Sequence, residues 1–127
     1  MVLVSGCLLG LRCRYDAKRL RVPKLIKELK DPLPLCPEQL GGFPTPRIPA
    51  EVKGRAEGVW KGEAKVINEK GEDVTQGFII GAKEVLRLVR LFNIKKAYLK
   101  ENSPSCGREG VLIPLLKKRG VEIRWIK

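Results

Sequence analysis

Three short apolar runs in this chain end in the same way. Val2-Leu-Val-Ser5 leads into Gly6-Cys7, and Leu33-Pro-Leu35 leads into Cys36-Pro-Glu38. Lys95 to Lys100, apolar at Ala97, Tyr98 and Leu99, leads into Glu101-Asn-Ser-Pro-Ser-Cys-Gly107. The third run reads as a buried strand and the other two as short strands, and each is followed by a turn that carries a cysteine. Val111, Leu112, Leu115 and Leu116 recur at helical spacing behind the third turn, so Cys106 falls on a strand-to-helix turn. Open parallel sheets gather their ligand sites at the carboxyl ends of their strands. Three cysteines, each just after a strand, would then converge on one point although they lie far apart in sequence.

The remainder of the chain fits that plan. Pro23 suits the first turn of a helix over Lys24–Lys30, which Asp31-Pro32 ends. Pro44, Pro46 and Pro49 make residues 41–49 an irregular loop, the kind of segment that carries function more often than core. Residues 51–74 read as a β excursion, with Ala64–Ile67 its clearest strand and Glu69-Lys-Gly71 a turn. Thr75 is the expected cap of the longest helix, Gln76–Phe92, whose stripe is Phe78, Ala82, Val85, Leu86, Val89 and Phe92. Arg108–Arg119 is the expected last helix, stopped by Gly120, and Val121–Ile126 a half-exposed strand. Strand and helix alternate. The expectation is one α/β domain over 1–127, a mainly parallel open sheet in a Rossmann-like three-layer arrangement, with the small β excursion inside it.

The chain has no histidine among its 127 residues. That excludes Ser-His and Cys-His catalysis, histidine general bases and histidine-ligated zinc. Any metal must be held by thiolates, with or without a carboxylate, and any proton must move through Asp, Glu, Lys, Tyr or water. The apolar runs are too short to span a membrane, and no basic segment with a signal-peptide core opens the chain, so a cytoplasmic protein is expected. In a reducing compartment four cysteines point to metal binding or catalysis before disulfides. A formal charge of +12 favours anionic partners. The basic residues are nevertheless spread along the chain and interleaved with glutamate, as on a solvated surface.

There is no C-x-x-C pair and no tight ferredoxin-type run. Three thiolates suit a four-iron, four-sulfur cluster with one iron left open as a Lewis acid, or zinc with a fourth ligand. Cys13 is then the spare thiol. Its segment reads as extended away from the turn, which gives it a structural or surface role before a ligand's.

The blocks Ser5-Gly-Cys-Leu-Leu-Gly10 with Arg14-Tyr-Asp16, Cys36-Pro-Glu38, Gly42-Phe-Pro-Thr-Pro-Arg47, Pro49-Ala-Glu51, Asp73-Val-Thr75 and Leu99-Lys-Glu-Asn-Ser-Pro-Ser-Cys-Gly107 together carry a family resemblance. Over nearly its whole length the chain resembles the prokaryotic domain-of-unknown-function family 523, which includes thiouracil desulfidases. The resemblance implies a four-iron cluster held by Cys7, Cys36 and Cys106, whose fourth iron takes sulfur from a thiocarbonyl. The segment from Gly107 to the last helix is short for the family, so one wall of the site is expected to be missing, which leaves the choice of substrate open.

On that reading the activity is non-redox desulfuration of a small thiolated heterocycle such as 2-thiouracil, with release of sulfide. Glu38 is the first choice for the acid/base because it lies two residues from a ligand. Glu101 is the second, and Ser103 is placed to hydrogen-bond the substrate or the leaving sulfur. Arg47, Glu51 and Ser105 are the candidates for substrate contact, and an Arg47–Glu51 ion pair across the proline loop is the structural alternative. Asp16 is expected to brace Arg14. Two rival functions are a zinc- or cluster-stabilised basic module that contacts RNA, and a sulfur carrier that uses cysteine persulfides.

Overall fold

The computed structural model describes residues 1–127. Four strands form one parallel sheet in the order β2-β1-β5-β6: β1 is Val2–Ser5, β2 Pro32–Leu35, β5 Lys96–Lys100 and β6 Glu122–Ile126. The short strands β3 (Ala50–Lys53) and β4 (Lys65–Asn68) pair antiparallel beside it. Ser5 is in register with Leu35, Leu3 with Ala97, and Leu99 with Trp125. All four strands therefore finish at the same edge. The expected α/β class and parallel sheet are what the chain adopts.

Alternation along the strands assigns the two faces. Leu3, Ala97 and Leu99 point into the larger core, where they meet Phe78, Val85 and Val89 of α4 (Thr75–Leu91) and Leu116 of α5 (Ile113–Lys118). Val4 and Tyr98 point the other way, into a smaller cluster with Leu8 and with Ile26 of α1 (Lys24–Lys27). No helix is long and apolar enough to cross a membrane.

Local differences from the expected elements have physical causes. β2 contains Pro32 and Pro34, which a central strand excludes; it is an edge strand, bonded to β1 alone. The expected helix to Lys30 stops at Lys27, and the last helix begins at Ile113, because residues 107–112 form successive tight turns. Two helices carry too little periodicity to be read from sequence: α2 (Pro37–Leu40) and α3 (Ala56–Lys61), the latter inside the β excursion. Thr75 is the first residue of α4 and not its cap. Asp73 does the capping, accepting the Thr75 N–H at 3.0 Å and its hydroxyl at 2.6 Å, while Thr75 Oγ1 accepts the Val66 N–H at 2.9 Å.

The contact that positions the site is between α2 and α4. A methyl group on Gly81 would collide with the Pro37 carbonyl oxygen, and one on Gly41 with the Gly77 carbonyl oxygen. With glycine at these positions the two backbones touch. The first turn of α2, which carries Glu38 directly after Cys36, is thereby seated against the longest helix in the protein.

Candidate active site

At the carboxyl edge of the sheet lies a half-open cavity of about 420 Å³. All four cysteines line it, and all four are free thiols. Cys7 sits in the 3₁₀ turn Gly6–Leu9 after β1, and Cys36 directly follows β2. Cys106 lies in the coil after β5. That coil is wound tightly because Gly107 and Gly110 have no side chain. A methyl on Gly110 would collide with the Ser105 carbonyl, and one on Gly107 would stand 2.6 Å from the Ser103 carbonyl oxygen. Two indoles fasten the coil from outside: Trp125 Nε1 donates to the Cys106 carbonyl at 2.9 Å, and Trp60 Nε1 to the Val111 carbonyl at 2.8 Å.

Cys13 does not lead away from the site. It is buried in the same wall, because Gly10, at φ +81°, turns the chain back after the 3₁₀ turn. A Cβ on Gly6 would stand 3.2 Å from the Cys13 sulfur. The glycine at position 10 is the signal that sequence reading missed. Cys36 faces the same residue, with its sulfur 3.6 Å from the Cys13 carbonyl oxygen.

The thiols differ in how firmly they hold their protons. Cys7 falls below the ordinary thiol range because Cys13 donates to it, against the effect of burial. Cys13 feels a downward pull from its bond with Cys36, but its bond to Cys7 and its burial leave it raised. Cys36 is raised strongly by its hydrogen bond to Cys13 and then by burial. Burial pushes Cys106 up to about 12, against a hydrogen bond from Ser5. The raised thiols keep their protons until a bound metal cation displaces them, so loading such a site with metal releases protons.

The donor set fits an iron–sulfur cluster: several buried thiols, no imidazole, all on one cavity wall. No three of the chain's thiol and carboxylate groups close around a point that a single ion would fill. A cluster, in which different irons take different thiolates, asks for a wider spread than one zinc ion does.

Beside the thiols runs a line of oxygens. Glu38 is only 9% exposed; its Oε1 accepts Arg47 Nε at 2.9 Å and its Oε2 accepts the Ser105 hydroxyl at 3.0 Å. Ser105 Oγ lies 3.1 Å from Ser103 Oγ. Ser103 Oγ in turn accepts the N–H groups of Ser105 and Cys106, at 3.2 and 3.1 Å. With the Ser105 proton committed to the carboxylate, the Ser103 hydroxyl must donate to Ser105. The hydrogen bonds therefore run one way, Ser103 to Ser105 to Glu38.

The other expected site residues divide. Glu101 lines the cavity but accepts Arg108 Nε at 2.8 Å, and Arg108 stacks over Trp125 at 4.6 Å. Arg14 and Asp16 do brace each other, at 3.2 Å. Glu51 is exposed, pairs with Lys53 and does not line the cavity, since alternation on β3 turns it outward. The ion pair across the proline loop is Arg47–Glu38, not Arg47–Glu51. Arg47 lines the cavity but its donors are engaged with protein groups, which leaves it no free fork for a substrate. Ser5, Tyr15 and Lys100 line the wall without having been singled out. Only their place at strand ends or beside Arg14 pointed to them.

Comparison with known proteins agrees with this geometry. Uncharacterized protein YbbK of Bacillus subtilis (strain 168) is 40% identical over 97% of this chain and 93% of its own length. The solved structure of the [4Fe-4S]-dependent thiouracil desulfidase TudS (DUF523Vcz) is 36% identical, with a TM-score of 0.85 over 98% of this chain and 89% of that one. The model of the 2-thiouracil desulfurase family matches residues 2–123, and the chain belongs to that family.

Proposed function

We propose that this protein hydrolyses the C=S bond of a small thiolated heterocycle of the 2-thiouracil class, using a four-iron cluster held by Cys7, Cys36 and Cys106. The observation that carries the reading is the convergence of buried and half-buried thiols from three strand ends beside the one-way chain Ser103–Ser105–Glu38. Family membership and the likeness to TudS support it. When bound, the cluster supplies an open iron that takes up and polarises the substrate's sulfur.

The chain's own residues then have separable tasks. The cavity of about 420 Å³ accepts a single six-membered ring and shields it. Both Glu38 oxygens are occupied and the side chain is nearly buried, so its reach to water is through the serines. Water gives a proton to Ser103, Ser103 to Ser105, and Ser105 to Glu38, as hydroxide adds to the thiocarbonyl carbon. The same line returns the proton to the leaving sulfur. In sum, C=S and H₂O become C=O and H₂S. The carbon keeps its oxidation state, so no reductant is consumed. Glu101, held by Arg108 at the rim, is the second choice for the base.

Anaerobically reconstituted protein should release sulfide from 2-thiouracil without dithionite, one sulfide for each uracil formed. Holo-protein that releases none from 2-thiouracil or a panel of thiolated nucleosides and thioamides would remove the assignment. An absolute need for reductant would remove the hydrolytic mechanism.

A further inference from the structure

We propose that Arg47 is a positioning residue that couples the Glu38 carboxylate to the sulfur of Cys36. The inference rests on the reading of Cys36 as a cluster ligand. A guanidinium is costly to bury unless its donors are matched, and the Arg47 side chain is 7% exposed. Each donor nitrogen has a partner. Nε bonds Glu38 Oε1 at 2.9 Å, and Nη1 bonds the Pro44 carbonyl at 3.2 Å and Thr45 Oγ1 at 3.0 Å. Nη2 bonds the Cys13 carbonyl at 2.8 Å and lies 3.7 Å from the Cys36 sulfur. The Arg47 N–H also donates to the Tyr15 carbonyl at 2.8 Å, so the proline loop is clipped to the Cys13 segment by backbone and side chain together.

Two consequences follow from one rigid fork. The carboxylate is aimed toward Ser105, because its other oxygen is held. A positive charge with an N–H directed at a ligand sulfur stabilises the reduced form of a cluster, and so raises its reduction potential. The potential here reports the contact and implies no redox step. Lysine offers one compact ammonium and cannot span Glu38, the Cys13 carbonyl and the Cys36 sulfur at once.

The test compares anaerobically loaded wild type, Arg47→Gln and Arg47→Lys for iron content, cluster midpoint potential and kinetics on 2-thiouracil. Arg47→Gln should keep its iron, shift the potential to a more negative value and lose about a hundredfold in kcat with KM little changed. Arg47→Lys should recover part of the potential but not kcat. An unshifted potential in iron-replete Arg47→Gln overturns the sulfur contact, and an unchanged kcat overturns the positioning of Glu38. Should neither variant fold, Arg14→Lys protein carrying isotopically labelled arginine decides the matter, since Arg47 is then the one arginine on the cavity wall. Coupling of a guanidinium nitrogen to the spin of the reduced cluster supports the proposal, and its absence overturns it. Failure of the underlying reading looks different: wild type takes up no iron, or Cys36→Ser keeps a complete cluster.

Discussion

Glu38 Oε2 and Ser105 Oγ belong to residues 67 positions apart in the chain and share a hydrogen bond of 3.0 Å inside the protein. One follows Cys36 by two residues and the other directly precedes Cys106. On the proposed reading, the acid/base is built onto two of the turns that would supply sulfur. Glu38→Gln should load iron normally and lose turnover by about 10²–10⁴-fold, the usual worth of a positioned general base. Ser105→Ala and Ser103→Ala break the line further out and should fall in the same direction with their iron intact. Sulfide release measured at matched iron content is the check. A Glu38→Gln protein with near wild-type turnover would pass the role to Glu101.

Cys7→Ser, Cys36→Ser and Cys106→Ser should each lose the cluster. Cys13→Ser should keep most of it, because serine preserves the backbone carbonyl that Arg47 grips. Iron counts and visible absorption after anaerobic reconstitution separate the four. Loss of iron in Cys13→Ser alone would make Cys13 a ligand.

Gly81→Ala tests the backbone contact under the site. The added methyl collides with the Pro37 carbonyl, which is rigid backbone, so the helices must separate. Overpacking of this kind costs about 1–3 kcal/mol. Urea denaturation should show that loss, while Glu84→Ala, on the exposed side of α4, should stay within about 0.5 kcal/mol of wild type. Equal midpoints for the two variants would mean α2 is not seated as described.

Asp73 gives a pH-dependent contribution. Its hydroxyl and backbone bonds from Thr75 hold the carboxyl below the ordinary carboxylate range. A depressed native pKa adds stability above the unfolded-state pKa, and that stability is lost as pH falls through the native value. Asp73→Asn should therefore melt below wild type at neutral pH, with the gap closing in acid. Melting curves for both proteins across that range would reveal it, and a gap constant with pH would point to shape instead of charge.

Much of this arrangement can be read from the residues because the parallel sheet leaves little freedom. A strand that ends in a cysteine-bearing turn has a defined place once its neighbours are parallel, and Cys7, Cys36 and Cys106 did arrive at one edge. The resemblance to known desulfidases supplied the ligand set and the chemistry, which spacing alone left open between a cluster and zinc. Positions fixed by long-range contact were harder. Arg47 has Glu51 nearer in sequence, yet it pairs with Glu38, because alternation on β3 faces Glu51 to solvent. Cys13 looked remote because its return depends on one left-handed residue, Gly10. The short helices α2 and α3 have one turn or little more, too few residues for a periodic pattern to declare itself.

Pro32 and Pro34 have a consequence beyond confining β2 to the edge of the sheet. Both lie on the outer strand of the sheet, and neither has an N–H to offer. Residues of one parity direct their backbone groups outward, so that border presents carbonyls without the matching donors along two successive positions. A second chain cannot dock there as an added strand. The opposite border, β6, keeps its amides and relies on the exposed charges of Glu122 and Arg124 to discourage the same event. Resistance to aggregation is therefore built by different chemistry on the two sides of the molecule: by missing donors at one and by charge at the other. Salt should weaken only the second.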